Sequence, residues 1–228
     1  MRIVAMDTET TGVDYERDEI VTVSFVEVGD DGKFKIKEWL LKSSVESSPE
    51  AYEKHLVDRK DQLENGLEYD ETIIEICREI VEDVDYLVTA NGAFDLTMLQ
   101  SSFNRTNGED HFDLSTVKMI DVMVLDKYLD KYRRGSRKLT DLAKHYGINF
   151  EGIPHNSTFD SILTFALYMR LSETMKQEGH SIDELPRICE TQYHEQRKSL
   201  AEYFDRIGKR ATVTTGYPVN TGKIEIGI

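Results

Sequence analysis

Asp7-Thr8-Glu9-Thr10-Thr11-Gly12 sets two carboxylates at i and i+2, where the apolar run Arg2–Met6 ends. A strand's two-residue period puts both side chains on one face, and Gly12 lets the backbone turn beside them. Crowded carboxylates raise one another's pKa unless a cation neutralises them. Donors that are all oxygen suit Mg²⁺ or Mn²⁺ better than zinc. Alone, the pair reads equally well as two polar residues opening a loop.

Asn91-Gly92-Ala93-Phe94-Asp95 repeats the situation, since a buried strand ends, the chain turns and a helix starts with Asp95 in its first turn. An acid there serves either a helix N-terminus or a site. Phe94 is either core or a face on which a base packs. A third segment, His155-Asn156-Ser157-Thr158-Phe159-Asp160, runs from a loop into a helix and lets His155 and Asp160 face one place. That spacing is common by chance; the other histidines considered, His111, His145, His180 and His194, read as surface residues.

Elements must bring these segments together. Arg2–Met6, the β-branched Ile20–Val28 and Phe34–Leu41, with a turn at Gly29-Asp30-Asp31-Gly32, predict an antiparallel meander. Helical spacing follows in Pro49–Leu56 and Tyr69–Asp83, then a strand at Tyr86–Ala90 and a helix from Ala93 to about Phe103. Met119–Val124 reads as a fifth strand merging into helical sequence near Tyr132. Leu139–Tyr146 is a short helix closed by Gly147, a loop runs through Pro154, and a long helix spans Ser157 to Met175. Beyond it, Ile182–Ile207 is charged helical sequence, and Ala211–Val219 is a last strand or an extended tail. The expected class is α/β: a mixed five-stranded sheet of three antiparallel strands plus two parallel ones, flanked by helices. Residues 1–176 form the domain and residues 177–228 a C-terminal helical extension and tail.

The 228 residues are ample for a core without disulfides or metals. A net charge of −15 argues against a duplex-coating protein, which would show a basic footprint. No apolar run approaches the ~18 residues of a membrane span, and the start lacks a signal-peptide pattern. Cys77 and Cys189 lack paired spacing and read as reduced thiols. The expectation is a cytoplasmic chain.

The order of the three acidic segments carries more than any one of them. Asp-x-Glu on the first strand, Asp after a later strand and His-x4-Asp opening a late helix resemble the DEDDh (DnaQ-like) branch of the DEDD exonuclease superfamily, typified by the epsilon proofreading subunit of bacterial DNA polymerase III. The resemblance covers roughly Arg2 to Leu171. One departure is Ala51…His55-Leu56-Val57-Asp58, which stands where members often carry Ala…His-Gly-Ile-Thr. Another is the C-terminal extension, with its Tyr193-His194-Glu195-Gln196 stretch.

The resemblance implies an RNase H-like fold and a 3′→5′ exonuclease that releases nucleoside 5′-monophosphates. In it Asp7, Glu9, Asp95 and Asp160 hold two divalent ions, Mg²⁺ or Mn²⁺, and His155 takes a proton from the attacking water. Thr8, Thr10, Thr11, Asn91 and Phe94 are its candidate substrate contacts. Arg133, Arg134, Arg137 and Lys138 form a basic loop that either tracks phosphates or is simply solvated. The expected partner is a single-stranded 3′ end, DNA ahead of RNA, with a DNA polymerase as a second. An RNA-trimming nuclease and a non-catalytic polymerase-binding module are the alternatives.

Overall fold

The computed structural model describes residues 1–29, 31–106, 111–152 and 155–227. Asp30, Pro154 and Ile228 lie outside them. Strands β1 (Ile3–Thr10), β2 (Ile20–Val28) and β3 (Phe34–Leu40) form the meander. Helices α1 (Pro49–His55), α2 (Arg59–Asn65) and α3 (Tyr69–Asp83) lead to β4 (Tyr86–Thr89), α4 (Gly92–Arg105), β5 (Met119–Asp121) and α5 (Val122–Leu129). Then come α6 (Leu139–His145), α7 (Ser157–Gln177), α8 (Leu185–Arg206) and a hairpin of β6 (Ala211–Thr215) with β7 (Gly222–Ile226).

The main sheet has the order β3-β2-β1-β4-β5, antiparallel from β1 to β3 and parallel from β1 through β4 to β5. This is the expected mixed sheet. Val4, Ala5 and Met6 of β1 are fully buried because β1 is the central strand, with α7 packed across it and β2 and α4 touching it too. Strand β1 does not end at Asp7, as expected, but runs on to Thr10. Pairing with β2 persists through Asp7↔Ser24 and Glu9↔Thr22, and the register slips between Glu9 and Thr10. The acids therefore sit in a hydrogen-bonded strand, beside a bulge that re-aims the backbone.

The fifth strand is shorter than its apolar run. Asp121 accepts hydrogen bonds from the backbone N–H groups of Met123 and Val124, capping α5 and ending β5 before Val122. At the β4–α4 junction a Cβ on Gly92 would lie 2.1 Å from Thr89 Oγ1 and 2.7 Å from Met119 Sδ, so only glycine fits there.

The extension does not build a separate main core. Leu185, Cys189, Tyr193 and Val219 join the cluster that fills the sheet, while Ala201, Val213 and Ile226 form a small second one under the hairpin. The tail reading stopped short because Gly222–Ile226, the partner of β6, is short and mostly exposed, and its alternation rests on Ile224 and Ile226 alone. Cys77 and Cys189 are buried free thiols, and burial pushes both up to about 12.

Candidate active site

Three elements converge at one end of the sheet. Strand β1 delivers Asp7 and Glu9, the first turn of α4 delivers Asp95, and the first turn of α7 delivers Asp160. Asn156 caps α7 through Phe159 N–H, which starts that helix at Ser157, three residues before Asp160. Asp7, Glu9 and Asp160 each offer an oxygen within 4.8 Å of the others'. Asp95 stands behind this trio and accepts a hydrogen bond from Thr8 Oγ1 at 2.6 Å.

Burial, first of all, lifts the four carboxyl groups, and the charges of neighbouring carboxylates add to it at Asp7 and Glu9, with Asp121 adding to it at Asp95. Asp7 lies well above the usual range, pushed by burial and then by Asp95, Glu9 and Asp160. Glu9 rises to about 8 by burial and by the charges of Asp160 and Asp95, against a small pull from Lys54. Asp95 rises to about 7 by burial, opposed by the Thr8 hydroxyl. Asp160 is also raised by burial, opposed by the backbone N–H and the charge of His155.

This donor set fits a hard divalent cation. Asp160 Oδ2 accepts from His155 N–H at 3.1 Å, yet Asp160 Oδ1 is buried with no hydrogen-bond partner. A buried carboxylate oxygen without a donor is costly unless a cation or water satisfies it. His155 itself is exposed and adopts φ 64°, a left-handed conformation uncommon for a residue with a side chain.

A cavity of about 620 Å³ opens over the acids. His155, Thr8, Thr10, Asn91 and Phe94 line it with Asp7, Glu9 and Asp160. Thr11 does not. Its side chain is fully buried, its hydroxyl bonds Asp18 and Glu19, and its backbone is taken by Glu19 and Ser48. Thr11 is thus tied into the turn rather than facing the cavity.

The basic loop also behaves differently from expectation. Arg133 and Arg137 both pair with Asp126, which is fully buried and accepts a further bond from the Tyr146 hydroxyl. A buried carboxylate needs that compensation, so the two arginines are drawn inward. Arg134 and Lys138 remain exposed, and none of the four lines the main cavity.

Sequence reasoning named Ala51 and His55 only as part of a departure from the related motif, and did not place the wall that α1 builds. Ser48, Glu50, Ala51, Lys54 and His55 all face the cavity. His55 is buried, bonded to Ser47 Oγ and Val57 N–H, and burial lowers its pKa. Leu56 takes φ 55° as the helix C-cap, the position where the related motif carries glycine, so the departure in sequence preserves the turn.

Carboxylates from β1, α4 and α7 gathered at one end of this mixed sheet define a DnaQ-like exonuclease. Residues 4–168 match the RNase_T exonuclease family, and the chain belongs to that family. It is 28% identical over 185 residues to a PolC-type DNA polymerase III of Staphylococcus haemolyticus, a match covering 77% of this chain and 12% of that protein. The chain thus spans a small part of the curated relatives it matches. Among solved structures it resembles exonuclease X in complex with 5′ overhanging duplex DNA (TM-score 0.59, 21% identity, 82% of this chain and 99% of that one). It also resembles Pop2p of S. pombe in its Mg²⁺- and Mn²⁺-bound form (TM-score 0.60, 17% identity, 80% and 86% covered). Among the described residues no helix is long and apolar enough to cross a membrane.

Proposed function

We propose that the chain is a divalent-metal-dependent 3′→5′ exonuclease that releases nucleoside 5′-monophosphates from single-stranded DNA ends, in proofreading or repair. The observation that carries this reading is the trio Asp7, Glu9 and Asp160 with the unpartnered Asp160 Oδ1 among them. Asp7, Glu9, Asp95 and Asp160 would hold two Mg²⁺ or Mn²⁺ ions. When bound, such ions activate water and offset charge on a phosphodiester in line with the leaving oxygen.

The chain's own residues do the rest. Four carboxylates cancel the charge of two divalent cations, leaving a near-neutral pocket for a phosphate. His155 stands at the rim with its backbone tied to Asp160, so its imidazole can take a proton from the attacking water. Phe94 and Asn91 offer a ring face and an amide to the terminal nucleotide. A second cavity of about 240 Å³, lined by Lys127, Arg137 and Arg197, shares Asn91 and Met123 with the first and suits the phosphates behind that nucleotide. In this reading residues 1–176 are the exonuclease domain and residues 177–228 its extension.

DNA is favoured over RNA because the curated relatives are DNA polymerases, and the same likeness suggests a polymerase partner. A competition between matched DNA and RNA oligomers, with Mg²⁺ or Mn²⁺ supplied, tests the substrate class. Preferential loss of the DNA is expected; equal or preferential loss of the RNA would move the assignment to RNA trimming.

A further inference from the structure

The helix that carries Asp95 is held at its first turn by residues that lie beyond the family match. Asn220, between β6 and β7, uses every polar atom of its side chain there. Asn220 Nδ2 donates to Ala93 O and to the Tyr15 hydroxyl, each at 3.2 Å, and Oδ1 accepts from the Tyr193 hydroxyl at 3.0 Å. Its backbone N–H donates to Thr97 Oγ1 at 2.9 Å, and that hydroxyl donates in turn to Ala93 O. Ala93 and Thr97 stand two residues to either side of Asp95. Tyr15, bonded to Asn220, also packs its ring 5.7 Å from that of Phe94.

Asn91 caps α4 in a left-handed conformation without a side-chain bond; the Gly92 N–H is taken by Asp121 Oδ2 at 3.0 Å, and Asn220 adds its bonds at Ala93 and Thr97. Nothing in residues 4–168 supplies the Asn220 bonds, since the family match ends before α8 and the hairpin begin.

We propose that Asn220 is a positioning residue for Asp95 and Phe94, so that the C-terminal extension completes the metal centre from outside it. The inference rests on the reading of Asp95 as a carboxylate of that centre. Partners of this kind, which orient a ligand without touching the ion, typically change metal affinity by about 10–100-fold when removed.

Mn²⁺ binding to the full chain, measured by calorimetry or electron paramagnetic resonance without nucleic acid, tests this directly. Asn220→Ala and Asn220→Asp should each weaken Mn²⁺ by about 10-fold. Nucleotide release should fall at limiting Mn²⁺ and recover at saturation. Asn220→Asp keeps the size and the acceptor for Tyr193 but removes both donations, so it decides the matter if the alanine variant fails to fold. Thr97→Val approaches the same contact from α4 and should act in the same direction. Thr212→Ala, which touches only Glu225 within the hairpin, should leave Mn²⁺ binding unchanged. A folded Asn220→Asp chain that binds Mn²⁺ within twofold of the unaltered protein would overturn the positioning role and leave the exonuclease reading standing. Failure of the unaltered chain to bind Mn²⁺ would instead remove the metal reading, and this inference with it.

Discussion

Asp160 shows how much one side chain is asked to do. One oxygen holds the His155 backbone in a left-handed conformation, and the other lies buried without a donor among the acids. Asp7→Ala or Asp160→Ala should lower metal-dependent nucleotide release by about 1,000-fold or more, as expected when several kcal/mol of charge stabilisation is lost. A release rate near that of the unaltered chain would contradict the assignment. The raised carboxyls also carry a pH signature. Glu9 at about 8 and Asp95 at about 7 lie above their ordinary values, so the native chain holds protons that the unfolded chain releases. Without metal, their contribution to stability is fully present below about pH 4 and is lost as pH rises through 7 to 8. Thermal unfolding in a chelator should therefore show a melting temperature that declines across this window, less steeply in Glu9→Gln. Mn²⁺ binding should run the other way and tighten with pH, because the ligands must lose their protons. A pH-independent Mn²⁺ affinity between pH 6 and 8.5 would speak against these carboxyls as ligands.

At the scale of elements, the junctions decide what each residue can reach. Gly92→Ala would press a methyl into Thr89 and Met119 and should destabilise the fold by about 1–3 kcal/mol, read by chemical denaturation. Asp126→Ala should destabilise by about 3 kcal/mol, since it strands the inward-drawn Arg133 and Arg137, whereas Arg134→Ala should leave stability unchanged. The meander and α3 were legible from a β-branched run and a strong helical apolar period, whereas α7 stood out as a long helical stretch apolar on several sides rather than on one face. Other elements were not, for identifiable reasons. Helix α2 has little apolar periodicity and is signalled only by its Asp58 cap, which takes the N–H groups of Lys60 and Asp61. The end of β5 depends on Asp121, a polar residue inside an apolar run whose capping role appears only once α5 turns back on it. The α1 wall was obscured because Leu56 replaces the glycine of the related motif.

The whole molecule carries −15, and its acids do two different jobs. A few are gathered where, on the proposed reading, bound cations would turn repulsion into phosphate binding; most are solvated surface. The carboxylate positions were readable from the order of three short motifs. The partners of Arg133, Arg137 and Asn220 were not, since those contacts join segments far apart in the chain. A chain of this charge should grip a short stretch of backbone only. The logarithm of its affinity for a single strand should fall with the logarithm of salt with a slope near one or two phosphates' worth, about 0.7 each. A slope several times steeper would require a long basic track. The central claim is tested most directly by giving the chain single-stranded DNA labelled at either end, with Mn²⁺. The account predicts a descending ladder from 5′-labelled DNA, immediate loss of a labelled mononucleotide from 3′-labelled DNA, and neither with Asp160→Ala. Internal fragments, a ladder growing from the 5′ end, or undiminished activity in that variant would contradict it.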